Sequence, residues 1–229
     1  MCSINHNLKA LFIHIPKNGG SYVAEILSKY YGFKNYYLQR PDHKLFCAGK
    51  DKSVDKHENK IHGTLIYYKT SNYINKIMNM TKEKWDSYYI FTFVRNPYER
   101  IISGWNYINK YNIDFHKFVK FNDKSVSYDY WHVFMTQSRH LIDINGKINV
   151  SFIGRLENIE HDLGIVLNKL GIIRILHSPF KKNSKKHDNY KKYYINDDVL
   201  SCVNDIYNED FHNFNYVQIA DFEKFKNEI

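Results

Sequence analysis

Residues 10–22 read ALFIHIPKNGGSY, and this stretch decides the fold. The apolar run Ala10–Ile15, with its Ile and Phe, has the length of a buried strand. Pro16 to Gly20 are loop residues. From Ser21 onward Val23, Ile26, Leu27 and Tyr30 recur at helical spacing, with Ser21 as a cap and Gly32 as a stop. Strand, glycine loop and helix together make a phosphate cradle. Two glycines let the backbone approach an anion, and the helix start offers free N–H groups and the positive end of its dipole. Lys17 adds a point charge and Ser21 a hydroxyl donor. The order is not that of a Walker A box, in which the lysine follows the glycines. Taken alone, the loop also fits an ordinary strand-to-helix turn with a surface lysine.

Working outward, Tyr88–Val94 (YYIFTFV) is the clearest strand, apolar almost throughout, as a strand covered on both faces of a parallel sheet would be. Arg95 and Asn96 end it. Pro97 opens a helix that runs to about Lys110, and Ser103 lies two turns in. An arginine at the carboxyl end of a strand, with a serine on the next helix, can grip a second phosphate. Val150–Gly154 (VSFIG) reads as a third strand, followed by a helix over 156–170 that Gly171 closes. Further helices are expected over 64–80, 113–121 and 197–208, with 128–141 helical or irregular. Residues 34–60 are polar and mixed, and read as a lid or insertion covering a site. Ile61-His62-Gly63 reads as a short strand or turn. The expected fold is α/β: a P-loop-like central parallel sheet flanked by helices on both faces, in a single domain over residues 1–229.

The composition allows such a core, with 43% hydrophobic and 17% aromatic residues. Lys and Arg number 33 against 24 Asp and Glu, a formal charge of +9, which points to an anionic partner without naming it. Cys2, Cys47 and Cys202 are odd in number and widely spaced, so free thiols are expected rather than a disulfide framework or a zinc site. No metal-ligand cluster is visible. There is neither a signal-peptide pattern nor a run of roughly 20 apolar residues. The expectation is a soluble, cytoplasmic chain, or a secretory-lumen domain if the chain is a fragment. No helix-turn-helix, zinc-finger or RRM signature supports nucleic-acid binding.

The pair PKNGGS and VRNPYERIISGW resembles the two cofactor-binding elements of the sulfotransferases that use 3′-phosphoadenosine 5′-phosphosulfate (PAPS). The match is nearest to the branch holding the Golgi carbohydrate sulfotransferases. Gln137-Ser138, the segment Phe152–Asn158, Asp162-Leu163, and the ending from Tyr190 through Tyr207 and Asp210 to Tyr216 are similar to later parts of that branch. The resemblance implies that Lys17, Asn18, Gly19, Gly20 and Ser21, flanked by Pro16 and Tyr22, hold the 5′-phosphosulfate end. Arg95 and Ser103 would hold the 3′-phosphate. The co-substrate would be PAPS, the product adenosine 3′,5′-bisphosphate (PAP), and the acceptor a hydroxyl, by analogy on a carbohydrate. Two positions depart from the family pattern: Asn18 stands where Thr is usual, and Tyr22 where a second short hydroxyl residue is usual.

Sulfuryl transfer, like phosphoryl transfer, needs in-line oxygens and neutralised charge on the leaving oxygen. Lys17 is the candidate for that charge. His62, in Ile61-His62-Gly63-Thr64, is the candidate general base, with Glu25, His57, Glu58 and His43 behind it. Arg155 and the basic run Lys181–Lys186, Lys185 and Lys186 first, are candidates for the 3′-phosphate, the adenine region or an acidic acceptor; otherwise they form a solvated basic loop. Glu99 and Arg100 read as exposed helix residues or orienters. Two alternatives remain at this stage: a P-loop-type nucleotide phosphotransferase, and a non-catalytic PAPS- or PAP-binding protein.

Overall fold

The runs that read as buried strands pair side by side. The computed structural model describes residues 1–39, 44–47, 60–61, 63–108, 113–120, 133–173 and 190–227. Its strands are β1 (Cys2–Asn5), β2 (Ala10–Ile13), β3 (Lys34–Gln39), β4 (Lys44–Cys47), β5 (Lys60–Ile61), β6 (Tyr89–Val94) and β7 (Phe152–Arg155). Its helices are α1 (Gly20–Tyr31), α2 (Leu65–Thr70), α3 (Asn72–Met78), α4 (Lys82–Ser87), α5 (Pro97–Ile108), α6 (Phe115–Lys120) and α7 (Gln137–Leu141). They continue with α8 (Ile159–Lys169), α9 (Asp197–Ile206), α10 (Asn208–Asn213) and α11 (Phe222–Asn227).

The α/β class holds, and β2, β6 and β7 form the parallel centre, with Ile13 opposite Thr92 and Val94 opposite Arg155. The sheet as a whole is mixed, in the order β4-β3-β1-β2-β6-β7, with β5 also paired to β3. Residues 34–60 are therefore not simply a loop or insertion, because β3, β4 and one residue of β5 fall within them. Their pairing is antiparallel. Tyr36 sits opposite Cys2 and is buried. Backbone pairing to β1 and burial of Tyr36 outweigh the polar composition. Residues 40–43 and 48–59 lie outside the described residues.

Local chemistry accounts for the helix ends. Gly19 is the N-cap of α1 at φ 71°, so Ser21 lies inside the first turn and is not the cap. Gly32 ends α1 at φ 71°, as its position suggests. The expected helix over 64–80 is two helices, because Ser71 closes α2 while its hydroxyl accepts from the Ile74 amide to open α3.

The chain divides into two compact units, Met1–Val94 with Arg139–Phe180, and Arg95–Ser138 with Lys181–Ile229. In the first, Ala10, Phe12, Phe91 and Phe93 project from one sheet face onto Val23, Ala24 and Leu27 of α1 and Leu163, Val166 and Leu167 of α8. On the other face Cys2, opposite Ile13, touches Met78 of α3 at 3.9 Å. Helices thus cover both faces. Burial pushes the Cys2 thiol up to about 12, so it stays protonated and inert near neutrality. Cys202 is also free and half-buried.

The second unit has an aromatic core centred on Tyr98, whose ring lies 4.8 Å from Phe211, 4.9 Å from Phe225 and 5.7 Å from Tyr194. Its buried hydroxyls find partners. Tyr98 donates to Asn204 Oδ1 at 2.6 Å, Tyr194 to the Tyr98 carbonyl at 2.9 Å, and Tyr207 to the Val133 carbonyl at 2.7 Å. That satisfaction lets a tyrosine-rich sequence build an interior. No described helix is long and apolar enough to cross a membrane.

Candidate active site

The first unit holds the glycine loop between β2 and α1. β2 ends at Ile13 beside β6, and Thr92 Oγ1 donates to the Ile13 carbonyl at 2.7 Å. The loop then turns through two left-handed residues, Lys17 at φ 69° and Gly19 at φ 71°. A left-handed conformation is free for glycine but costs about 1–2 kcal/mol for lysine, and such strain concentrates at functional positions. Asn18, between them, is buried, and its amide donates to the Phe93 carbonyl at 3.0 Å. The Asn that replaces the usual Thr therefore fastens the loop to the end of β6. Tyr22 and Val23 donate their amides to the Gly19 carbonyl, starting α1 there, and the helix presents its first-turn N–H groups to the loop. Lys17 is half-buried, and Ser21 and Glu25 are exposed.

Two walls fix the loop's shape. A Cβ on Gly19 would lie 2.5 Å from Leu156 Cδ1, and one on Gly20 would lie 2.2 Å from the His14 ring. Gly20 is required by space against the His14 ring, and Gly19 by its left-handed dihedral. Tyr22 turns away from the loop residues before it: its hydroxyl donates to Glu160 Oε1 of α8 at 3.0 Å. Burial, then this carboxylate, pushes the phenol well above its ordinary range. Arg155 ends β7, and its amide donates to Asp162 Oδ2 at 2.7 Å. That bond sets the turn from β7 into α8.

The second unit opens at Arg95, joined by one peptide bond to Val94 at the carboxyl end of β6. Arg95 is 6% exposed. Its Nη2 donates to Glu99 Oε2 at 2.7 Å, and its buried Nε has no hydrogen-bond partner among the described residues. Ser103, half-buried, lies one turn after Glu99 on the same face of α5, while Arg95 precedes the helix and reaches Glu99 by its side chain. Glu99 thus orients the guanidinium.

Arg95 is held by residues that the sequence reading left without a role. Gln137 Oε1 accepts from the Arg95 amide at 2.8 Å, and Gln137 Nε2 donates to the Arg95 carbonyl at 2.9 Å. One side chain pairs with both backbone groups, as a neighbouring strand would. Gln137 is in turn fixed by Asp210, whose Oδ2 accepts the Gln137 amide and whose Oδ1 accepts the Ser138 amide and hydroxyl, each at 2.8 Å. Asp210 is fully buried, and burial holds its carboxyl above its ordinary value against the pull of Arg100 and these donors. Arg100 is not an exposed helix residue. It is fully buried, donates to the Val133 and Met135 carbonyls, and lies over the Tyr207 ring. Two carbonyls and an aromatic face help this guanidinium sit in a core. The only prior signal for Gln137 and Asp210 was their likeness to a family segment, since 73 residues separate them.

His62, His43, His57, Glu58, Lys185 and Lys186 lie outside the described residues. A sequence profile described as the Sulfotransferase family matches residues 2–217, a span that takes in both strand-end motifs and the Gln137–Asp210 support. The chain belongs to the sulfotransferase family. Its family chemistry is sulfuryl transfer, which makes it a transferase acting on a hydroxylated acceptor. An uncharacterized protein of Archaeoglobus fulgidus is 32% identical over 117 residues, covering 48% of this sulfotransferase and 89% of the relative. No solved structure matches the chain.

Proposed function

We propose that this sulfotransferase moves a sulfuryl group from PAPS to an acceptor hydroxyl, on a carbohydrate. The observation that carries the reading is the loop in which Lys17 is held left-handed just before the Asn18 anchor and two glycines, one left-handed and the other with no room for a Cβ beside the His14 ring. A bare backbone cradle with one fixed cation suits the 5′-phosphosulfate. The buried, unpartnered Nε of Arg95 suits the 3′-phosphate, with the Ser103 hydroxyl of α5 as its proposed companion. The carbohydrate acceptor rests on resemblance to the Golgi-type branch.

In this mechanism the acceptor oxygen bonds to sulfur as the bond from sulfur to the 5′-phosphate oxygen breaks. Lys17 neutralises the charge gathering on that leaving oxygen. The first-turn amides of α1 and the Ser21 hydroxyl hold the phosphate still, which supplies the alignment that an in-line displacement needs. The acceptor's proton passes to a general base, for which we propose His62. Arg155, Lys185 and Lys186 are proposed as outer contacts to the cofactor. One observation favours a binding protein without turnover: the Tyr22 hydroxyl is spent on Glu160 at the position where a short hydroxyl is usual.

Transfer of labelled sulfate from PAPS to a panel of hydroxylated sugars tests the reading. Wild-type protein should transfer, and His62→Ala should lower turnover at least about a hundredfold while PAP affinity is kept. Tight PAP binding without transfer by the wild type would favour the binding protein. Near-normal turnover in the variant would remove His62 from the mechanism.

A further inference from the structure

His14 follows β2 directly and is 5% exposed. Its ring stacks on Phe12, two residues earlier on the same strand face, with centroids 6.2 Å apart and planes 16° from parallel. Phe12 in turn packs on Phe91 and Phe93 of β6. The other side of the ring meets the first residue of α1. The space a Gly20 side chain would need is filled by Cδ2 at 2.2 Å and by Cγ and Nε2 at 2.6 Å. The imidazole is therefore wedged between the sheet core and the point where the phosphate loop becomes a helix. Asn18 ties the same loop to the end of β6 from its edge. The turn of α1 that offers its amides to an anion is thus supported beneath by His14 and at the side by Asn18.

We infer that His14 is a positioning residue for sulfuryl transfer: its ring sets the height of the Gly19–Ser21 amides and so the fit of the phosphosulfate end. The inference rests on the proposed PAPS site and assigns His14 no contact with substrate. A ring that only filled the core would govern stability. A ring that sets the loop also governs affinity for the phosphate end, and its shape must match the missing side chain at residue 20.

The test is a double-mutant cycle, read by calorimetric titration with PAP and by thermal unfolding. Gly20→Ala should weaken PAP binding about thirtyfold or more, because the added methyl has no space while the ring is present. His14→Ala should weaken it about tenfold by letting the loop settle. The double variant should bind at least about tenfold more tightly than the product of the two single effects predicts, since removing the ring makes room for the methyl. His14→Gln, planar and polar with similar reach, should stay within about threefold of wild type, and His14→Ala should raise the KM for PAPS by more than it lowers kcat. Additive single effects, or His14→Ala binding PAP like the wild type, would overturn the inference. If Gly20→Ala does not fold, recovery of a cooperative melt in the double variant upholds the steric pairing, and the His14→Ala and His14→Gln affinities then decide positioning. If the wild type does not bind PAP, the function proposed above fails instead. The pairing is then judged by melting alone: rescue of Gly20→Ala by His14→Ala supports it, and no rescue ends it.

Discussion

Lys17→Met should lower the rate of sulfuryl transfer about a thousandfold, the cost of removing one preorganised donor from a developing oxyanion. Methionine keeps most of the length and the apolar stem and removes the charged ammonium with its donors. The effect should fall on kcat more than on PAP affinity, because the charge is needed most when the leaving oxygen carries it. The backbone supplies a second arm. Lys17 sits at φ 69°, a strained conformation for any residue with a Cβ. Lys17→Gly should therefore leave the fold as stable as before, or more stable by about 1 kcal/mol, while turnover collapses as it does in Lys17→Met. A variant that gains stability and loses activity is the signature of strain kept for function. If Lys17→Met keeps more than about a tenth of the wild-type rate, another group neutralises the leaving oxygen.

Asp210→Ala should be the most destabilising single change in the second unit, by about 3–5 kcal/mol, the range for breaking a buried charged network from one side. The carboxylate accepts from Gln137 and twice from Ser138, each at 2.8 Å, beside the buried Arg100. Truncation leaves three donors without their acceptor and removes the carboxylate that faces the Arg100 charge. Loss of the Gln137 clamp should also loosen Arg95, so PAP affinity should fall even in the fraction that remains folded. Urea unfolding with parallel PAP titration measures both effects. A loss under about 1 kcal/mol would mean that the network is not what holds this unit. The pH dependence carries a sign. Burial raises the folded-state pKa of Asp210 above the usual 3.8, so the folded chain holds this proton after the unfolded chain has released it. Asp210 therefore lends stability below pH 3.8 that is lost as pH rises through the higher folded value. The alanine variant should lack that decline.

What the sequence made legible is the part built from local pattern. The continuous apolar runs placed β2, β6 and β7, and the glycine loop and the Arg95–Ser103 spacing marked the two elements proposed to bind anions. The antiparallel half of the sheet was harder to read, because its strands owe their form to pairing. β1 carries the polar Ser3 and Asn5, and Ser3 is fully buried only because its hydroxyl donates to Asn35 Oδ1 of β3 at 2.6 Å. Neither strand shows the apolar run that signals a covered one. Arg100 read as exposed because a charged residue in a helix usually is; its acceptors, the Val133 and Met135 carbonyls, lie more than thirty residues away. His14 drew no notice for a related reason. A histidine at a strand end has no pattern of its own, and its role appears only when the space above Gly20 is found already filled.

The central claim is that Arg95 holds the 3′-phosphate of the PAPS nucleotide. Calorimetric titration of the wild type and Arg95→Ala with adenosine 3′,5′-bisphosphate tests it most directly. The account predicts micromolar or tighter binding to the wild type, weakened at least about a hundredfold in the variant by loss of a buried charged contact, with both proteins folded. No binding to folded wild type, or equal binding to the two, would contradict it.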